Sequence, residues 1–288
     1  VDLLLAENIP VRVLDNLSSG HRSNLPDSHP GLEFIEGDIT DKDTVREVMQ
    51  DASHCLHLAA QVSVEASIND PLNSAMQNII GFVNVLDTAQ NEGLQRLVFA
   101  SSAAVYGEPN EIPLPEDTQK LQLSPYGLEK QVNEEYADLY RRVSGFSSLG
   151  LRFFNVYGPR QDPKSPYAGV ISLFVDRISR GESLSIHGDG KQTRDFIYVR
   201  DVARAIHAAL TGKLSGACNI ATGRQITLLE LIEVLSAITG NQCEVSFESA
   251  RDGDIRHSLA DIDRMKQDLG ISAQTTIEQG LAQLLSAK

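Results

Sequence analysis

A tyrosine and a lysine four positions apart are the strongest chemical signal in this sequence. Tyr126 and Lys130 belong to the segment Ser-Pro-Tyr-Gly-Leu-Glu-Lys at 124–130. Ser124 suits a helix N-cap and Pro125 suits the first helical position, so both side chains are predicted on one face of a helix, near its start. A lysine ammonium beside a phenol favours the phenolate, and the helix N-terminus acts in the same direction. We therefore expect a lowered pKa for Tyr126, which would make it a general base for a hydroxyl group.

The surroundings of this pair strengthen a functional interpretation, because two surface residues of no function could have the same spacing. Ser101 and Ser102 follow a predicted strand, and ligands bind at the carboxyl ends of strands in α/β sheets. Turn chemistry alone would also explain these serines. An earlier predicted strand closes on Asp15. A Tyr–Lys pair, serines after a strand and an earlier strand that ends in an aspartate occur together much more rarely than any one of these features alone.

The elements that must position these groups alternate along the chain. Strands are predicted at 11–15, 32–35, 54–58, 96–101 and 147–153, and helices at 40–50, 71–92 and 125–144. This alternation predicts an α/β fold with a doubly wound parallel sheet covered on both faces. Past residue 155 the elements are shorter, with strands expected at 184–186 and 193–198 and helices at 170–180, 202–210, 228–239 and 275–285. We expect two intertwined domains, 1–155 and a smaller α/β lobe at 156–288.

Composition and charge narrow the classes of partner. The 288 residues carry a net charge of −14, which disfavours nucleic acid and anionic membranes because both attract Lys/Arg-rich surfaces. No run approaches the roughly 20 apolar residues of a membrane span, and no signal peptide is recognisable. The three cysteines lie far apart without a Cys-x-x-Cys pair. We therefore predict no metal site, no disulfide framework and a cytoplasmic location.

Eight segments together point to a known family. They are Val-Leu-Asp-Asn at 13–16, Gly-Asp-Ile at 37–39, His-Leu-Ala-Ala-Gln at 57–61, Ser-Ser-Ala-Ala-Val-Tyr-Gly at 101–107, Tyr-Gly-Leu-Glu-Lys at 126–130, Leu-Arg-Phe-Phe-Asn-Val-Tyr-Gly-Pro-Arg at 151–160, Gly-Asp-Gly-Lys-Gln-Thr-Arg-Asp-Phe at 188–196 and Gly-Asp-Ile-Arg-His-Ser at 253–258. Over essentially its whole length, the chain resembles the extended short-chain dehydrogenases/reductases, specifically the UDP-glucose 4-epimerase type. The resemblance implies a Rossmann-type NAD-binding domain, a nucleotide-sugar-binding lobe, and a homodimer packed through helices at about 72–92 and 126–144.

The resemblance also implies a reaction, the NAD-dependent 4-epimerisation of a UDP-sugar. Tyr126 would take the proton of the C4 hydroxyl while the C4 hydride passes to NAD. The 4-keto sugar then turns over, and the hydride returns to its opposite face. Ser258 stands where strict glucose/galactose enzymes often carry a bulky aromatic residue. We therefore expect UDP-N-acetylhexosamines to be accepted as well as UDP-hexoses.

By the same resemblance, the roles fall on numbered residues. Tyr126 is the expected base, Lys130 its partner and a ribose ligand, and Ser102 the proton relay. Further cofactor-binding residues are expected at Asp15, Asn16, Ser18, Ser19, Gly20, Asp38, Ile39, Leu58, Ala59, Ala60, Asn78, Ser101, Phe153 and Phe154. Of these, Asp15 would bind the adenosine ribose, Asp38 and Ile39 would contact adenine, and residues 58–60 would lie on the pyrophosphate and nicotinamide-ribose side. Substrate-binding residues are expected at Ser102, Asn155, His187, Arg194, Arg251, Asp254 and Ser258.

Asp15 bears on the choice of cofactor. A carboxylate at the end of this strand accepts from a free ribose 2′-hydroxyl and repels a 2′-phosphate, which favours NAD over NADP. His21 and Arg22, which lie close by in sequence, act against this preference.

The sequence argues against one related activity of the family and leaves others open. A 4,6-dehydratase of this family needs an acidic pair after the relay hydroxyl, and Ala103 and Ala104 stand there instead. A nucleotide-sugar decarboxylase, a 4-reductase and a catalytically silent nucleotide-sugar-binding fragment stay open as alternatives.

The glycine-rich turn of the family is missing from this sequence. Family members begin with a strand, a Gly-x-x-Gly-x-x-Gly turn and a helix, whereas this chain enters at the end of that helix, about 20 residues late. We expect open strand edges between the 11–15 and 54–58 strands and no backbone cradle for the pyrophosphate. We therefore expect the chain to be a fragment or the product of a mis-started gene. Such a chain would fold poorly and bind NAD poorly.

Overall fold

The computed structural model describes residues 1–109, 111–162, 169–250 and 255–286. The chain divides into two compact units. Unit 1 comprises Val1–Val105, Ser124–Arg152 and Ile206–Cys218, and unit 2 comprises Tyr106–Leu123, Phe153–Ala205 and Asn219–Lys288. These units interleave more than the predicted domains 1–155 and 156–288, because the segments 106–123 and 206–218 belong to the opposite unit from their sequence neighbours.

The described residues contain the predicted mixture of strands and helices. The strands are β1 (Val11–Asp15), β2 (Leu32–Glu36), β3 (His54–His57), β4 (Arg96–Ser102), β5 (Ser148–Phe153), β6 (Asn155–Tyr157), β7 (Leu184–His187), β8 (Thr193–Arg194), β9 (Phe196–Tyr198), β10 (Gly216–Ile220), β11 (Ile226–Thr227) and β12 (Val245–Glu248). The α-helices are α1 (Asp2–Ala6), α2 (Lys42–Met49), α3 (Val64–Asn69), α4 (Pro71–Ala75), α5 (Gly81–Asn91), α6 (Pro125–Ser144), α7 (Val170–Ser179), α8 (Val199–Thr211), α9 (Leu228–Thr239), α10 (Asp263–Gln267) and α11 (Ile277–Ser286). A π-helical segment, Met76–Ile80, joins α4 to α5.

Unit 1 contains parallel pairings that place the predicted site. β1 pairs with β2 in parallel, and β3 pairs with β4 in parallel within a sheet of order β10-β5-β4-β3. β1 and β3 belong to different sheets, and each is an edge strand in the part of the chain that is described.

The core of unit 1 lies between the sheet strands and the helices α2, α5 and α6. Phe82 and Phe99 are almost fully buried, and their ring centroids lie 4.9 Å apart. Gly81 is required where α5 meets the loop after β2, because a Cβ at Gly81 would lie 2.5 Å from Ile39 Cδ1. Burying such apolar side chains is the main driving force that holds these elements together.

In the part of unit 2 that the structure describes, three two-stranded sheets are packed against helices. β6 pairs with β9 and β7 with β12, both in parallel, while β8 pairs with β11 in antiparallel. The single strand predicted over 193–198 is wrong, because it is interrupted at Asp195. The buried Asp195 carboxylate accepts hydrogen bonds from the backbone N–H groups of Thr222 and Gly223, both at 2.9 Å. The segments on its two sides pair with different strands, β8 with β11 and β9 with β6.

Among the residues that the structure describes, no helix is long and apolar enough to cross a membrane.

Candidate functional site

The predicted proton-transfer residues come together in unit 1, where β4 ends and α6 begins. The side chain of Tyr126 lies near that of Ser102, which is close enough to influence the pKa of the phenol. The Lys130 ammonium lies 5.7 Å from the centre of the Tyr126 ring and donates to the Ala100 carbonyl at 3.1 Å. The sequence spacing predicted that Tyr126 and Lys130 share one face of a helix. The packing of α6 against β4 brings Ser102 to that face.

The start of α6 is fixed by two serines. Ser124 caps the helix as predicted, since its Oγ accepts from the Gly127 N–H at 3.1 Å. Ser67 Oγ, from α3, accepts from the Tyr126 N–H at 3.2 Å. These bonds satisfy two of the free N–H groups at the helix start and hold the backbone of Tyr126 in place.

The expected lowering of the Tyr126 pKa is wrong. Burial raises the pKa of this phenol above its ordinary value, and the negative charge of Glu129 raises it further, while the nearby Ser102 hydroxyl lowers it. Burial also lowers the pKa of Lys130 to about 8, against the opposing effect of Glu129. Helical spacing alone reveals neither the burial nor the neighbouring carboxylate.

A buried ion pair that sequence reasoning missed lies behind this group. Arg152 on β5 donates from Nε and Nη2 to the two carboxylate oxygens of Glu134, both at 2.8 Å. Ser101 Oγ donates to Glu134 Oε1 at 2.6 Å. The one available signal was that Glu134 follows Lys130 by four residues on α6 and so shares its helical face.

The predicted adenosine-side residues are gathered at the carboxyl ends of β1 and β2. The carboxylate of the exposed Asp15 accepts from the Leu17 N–H at 2.7 Å. Asn16 Nδ2 donates to Asp38 Oδ2 at 2.8 Å. A Cβ at Gly20 would lie 3.5 Å from Asp15 Oδ2, so this turn passes close to the carboxylate. The turn that contains Ser18 and Ser19 is exposed.

Arg22 is held away from a cofactor-phosphate role by its own contacts. Its guanidinium lies over the Phe34 ring, 5.1 Å from the centroid, and donates to the Pro26 carbonyl at 3.2 Å. These contacts leave the Asp15 carboxylate available at the end of β1. A carboxylate there fits a free ribose diol better than a 2′-phosphate.

The residues expected on the pyrophosphate and nicotinamide side follow β3. Leu58 and Ala59 are exposed and Ala60 is half-buried. Asn78 is buried, and its amide bonds to both sides of the Gln61 backbone, accepting from N and donating to O, each at 2.9 Å. Of the other residues expected to touch the cofactor, Ile39 and Phe154 are buried and Phe153 is half-buried.

Unit 2 brings three of the predicted substrate residues to the 193–195 segment. Arg194 lies on β8. The backbone N–H of the exposed Asn155 donates to the Asp195 carbonyl at 3.0 Å. The N–H of the buried Ser258 donates to the Thr193 carbonyl at 3.2 Å.

His187, Arg251 and Asp254 are the remaining predicted substrate residues of unit 2. His187 ends β7, and its Nδ1 lies 3.6 Å from Glu248 Oε2 on the paired strand β12. The predicted residues Arg251 and Asp254 lie outside the described residues. Asp195 was not predicted, although burial raises the pKa of its carboxyl group and its hydrogen bonds shape the segment that carries Arg194.

No group of three or more His, Cys, Asp or Glu within the described ranges could hold a metal ion.

Residues 1–221 match the model of a family described as NAD dependent epimerase/dehydratase. The chain belongs to this family. The predicted recognition is confirmed, and the family is defined by its use of NAD.

Relatives in the epimerase family match nearly the whole chain. The UDP-glucose 4-epimerase of Mycolicibacterium smegmatis is 35% identical over 288 residues, covering 98% of this chain and 91% of that protein. A structure of the UDP-N-acetylglucosamine 4-epimerase from Methanobrevibacter ruminantium, in complex with UDP-N-acetylmuramic acid, has a TM-score of 0.96 and 36% identity, covering 100% of this chain and 92% of that one. The Thermus thermophilus UDP-glucose 4-epimerase in complex with NAD has a TM-score of 0.92 and 33% identity, covering 99% of this chain and 93% of that one. These similarities confirm the predicted Rossmann-type α/β fold.

Proposed function

We propose that this protein is a UDP-sugar 4-epimerase, an isomerase that interconverts UDP-glucose and UDP-galactose with NAD. The observation that carries the proposal is that the Tyr126 phenol, the Ser102 side chain and the Lys130 ammonium lie together where β4 ends and α6 begins. A phenol, a hydroxyl and an ammonium in this order suit proton transfer with a secondary alcohol. The names of the relatives support the same reaction.

The chain's own residues would divide the proton chemistry among them. Tyr126 accepts the proton of the sugar C4 hydroxyl, and Ser102 relays it. The Lys130 ammonium stabilises the phenolate form of Tyr126, opposing the burial that favours the neutral phenol. NAD, when bound, supplies the acceptor and donor of the C4 hydride.

The residues present fit part of an NAD molecule. Asp15 and the turn through Gly20 offer an acceptor for a ribose diol, and the exposed Leu58 and Ala59 border the position expected for the nicotinamide side. The sequence contains no Gly-x-x-Gly-x-x-Gly turn to surround a pyrophosphate with N–H groups.

The substrate range is proposed to include UDP-N-acetylhexosamines. Ser258 bonds to Thr193, whose neighbour Arg194 is, like Asn155, one of the proposed nucleotide-sugar ligands. A small residue there leaves space for a 2-acetamido group. The relative from Methanobrevibacter ruminantium, whose name gives UDP-N-acetylglucosamine as its substrate, supports this range.

The deciding experiment supplies NAD at millimolar concentration with either UDP-galactose or UDP-N-acetylgalactosamine and follows the 4-epimer by chromatography. We expect both to be converted, and Tyr126→Phe to abolish both conversions. The exposed Tyr136, replaced by Phe, is the matched control. Binding of UDP-sugar without conversion would establish a silent binding protein. Release of carbon dioxide from UDP-glucuronate would indicate a decarboxylase, and net consumption of NADH would indicate a reductase.

A homodimer is proposed on the basis of exposed apolar side chains on two packed helical segments. Leu72, Met76 and Ile80 recur every four residues on the segment 71–80 and are 43–75% exposed. On α6, Leu139 and Val143 are 42% and 78% exposed. Rows of this kind suit a helix-to-helix interface. Sedimentation should give a dimer for the natural chain and a monomer for Val143→Asp, whereas Phe247→Asp, at an exposed apolar residue of unit 2, should leave it dimeric.

The three cysteines are free thiols, which supports a reducing compartment, and we propose the cytoplasm.

A further inference from the structure

Glu129 is a buried carboxylate of α6 that the proton chemistry above does not use. Its side chain is 3% exposed, and it lies between Tyr126 and Lys130 in sequence. Oε2 accepts from Ser74 Oγ at 2.8 Å and from Asn78 Nδ2 at 2.6 Å. Burying a carboxylate is unfavourable unless hydrogen bonds offset the lost hydration, and here both donors come from one helical segment.

The carboxylate decides which way the Asn78 amide faces. An ionised carboxylate can only accept, so the NH₂ group of Asn78 must point toward Glu129. The other amide hydrogen of Asn78 is donated to the Gln61 carbonyl, and Asn78 Oδ1 accepts from the Gln61 N–H. With the amide reversed, Oδ1 would face the carboxylate and the Gln61 bonds would be lost.

The same helical segment also holds the Gln61 side chain. Gln61 Nε2 donates to the Ser63 carbonyl at 3.0 Å and lies 3.4 Å from Ser74 Oγ. Asn78 lies within the π-helical segment Met76–Ile80, a local widening of the helix that is frequent at functional sites. The backbone and the side chain of Gln61 thus both depend on groups that Glu129 orients.

We propose that Glu129 is a positioning residue that holds the segment 58–61 in its cofactor-facing conformation through Asn78. Glu129 lies on α6, which also carries the proposed base. Its hydrogen bond with Asn78 connects α6 to Gln61 and to residues 58–60, the three exposed or half-exposed residues before it. Glu129 thereby couples the placement of the proton-transfer pair to that of the nicotinamide side. The inference rests on the proposed function, because that function assigns 58–60 to NAD.

Glu129→Gln and Glu129→Ala separate geometry from charge. A glutamine can direct its single oxygen toward both Ser74 and Asn78, so the orientation of Asn78 persists without the negative charge. An alanine removes the acceptor altogether. Glu47→Ala, at an exposed position of α2 in the same unit, is the matched control.

Two measurements on the full chain test the positioning role. The first is hydrogen exchange of the peptide 57–63 without cofactor, and the second is NAD affinity by calorimetry. We expect Glu129→Ala to speed exchange in that peptide and to weaken NAD binding about tenfold, as for a lost buried hydrogen bond, with Glu129→Gln within about threefold of the natural chain. Glu47→Ala should change neither. Glu129→Ala combined with Asn78→Ala should bind NAD no more weakly than Asn78→Ala alone.

The outcomes divide cleanly. Unchanged exchange and affinity in Glu129→Ala would overturn the proposal. So would exchange accelerated uniformly across unit 1, which indicates a general loss of stability, or effects of the two alanines that simply add. A natural chain that binds no NAD would count against the proposed function alone, because the exchange measurement needs no cofactor and still decides whether Glu129 orders 57–63.

Discussion

Arg152 and Glu134 form a two-pronged ion pair in the interior of unit 1. The guanidinium donates from Nε and Nη2 to the two carboxylate oxygens at 2.8 Å, and the two side chains are 3% and 8% exposed. Ser101 donates to the same carboxylate. The pair therefore joins β5 and α6 to the end of β4, where Ser102 follows.

Breaking this pair from one side should be costly. Glu134→Ala removes both carboxylate acceptors of the buried Arg152 guanidinium, and we expect the free energy of unfolding to fall by about 3–5 kcal/mol in urea denaturation. The double change Glu134→Leu with Arg152→Met should cost less than the single change, because the buried guanidinium is removed together with the carboxylate. Glu135→Ala, at an exposed neighbouring position, should cost under about 0.5 kcal/mol. A loss below about 1 kcal/mol for Glu134→Ala would contradict this account.

Lys130 should control the pH range of the reaction. Its pKa is lowered to about 8 by burial, so the ammonium that stabilises the Tyr126 phenolate is present below that pH and is lost above it. We expect kcat to fall as the pH rises above about 8. Lys130→Met should lower kcat by about 100-fold or more at neutral pH, whereas Lys266→Met, at an exposed position of α10, should not. A variant Lys130→Met with natural kcat would remove the lysine from the mechanism.

Ser258 should determine access for the larger sugars. Ser258→Tyr fills the space proposed for the 2-acetamido group, so kcat/KM for UDP-N-acetylgalactosamine should fall by about 100-fold, while that for UDP-galactose stays within about threefold. Ser258→Ala keeps the residue small and should retain both substrates. Equal losses for both sugars in Ser258→Tyr would show a general disturbance of unit 2 instead of selectivity.

His57 should make the protein sensitive to acid. Burial, assisted by the charge of Lys130, lowers its pKa to about 3 from an ordinary value of 6.5. The unfolded chain therefore binds a proton that the folded chain refuses, and stability is complete above about pH 6.5 and is lost as the pH falls below it. At pH 5 the loss should be about 2 kcal/mol relative to pH 7.5.

Two variants test whether His57 is responsible for this loss of stability in acid. Urea denaturation of His57→Leu at the two pH values should show a smaller difference than the natural chain, by about that 2 kcal/mol. His54→Leu, at an exposed position of the same strand, should retain the natural difference. If His57→Leu and the natural chain lose stability equally on acidification, another group is responsible.

The elements with strong local signals were predictable from the sequence. The helix expected at 125–144 is observed as Pro125–Ser144 because its Ser124 cap, its Pro125 start and the left-handed Gly145 at its end are all local. β1 is observed at the predicted Val11–Asp15. The strands β6, β10, β11 and β12 were not predicted, and each of them pairs with a strand distant in sequence, which no local pattern reveals.

The sequence by itself determined the α/β class, the family resemblance, and the Tyr126–Lys130 face, because helical spacing and motif order are written in neighbouring residues. Only the tertiary structure decided the environment of that face. Glu129 meets its partner Ser74 across 55 positions, and burial then raises the pKa of Tyr126 where the lysine alone predicted a lowered one. Desolvation and hydrogen bonding depend on which distant residues pack together, and no local pattern specifies that.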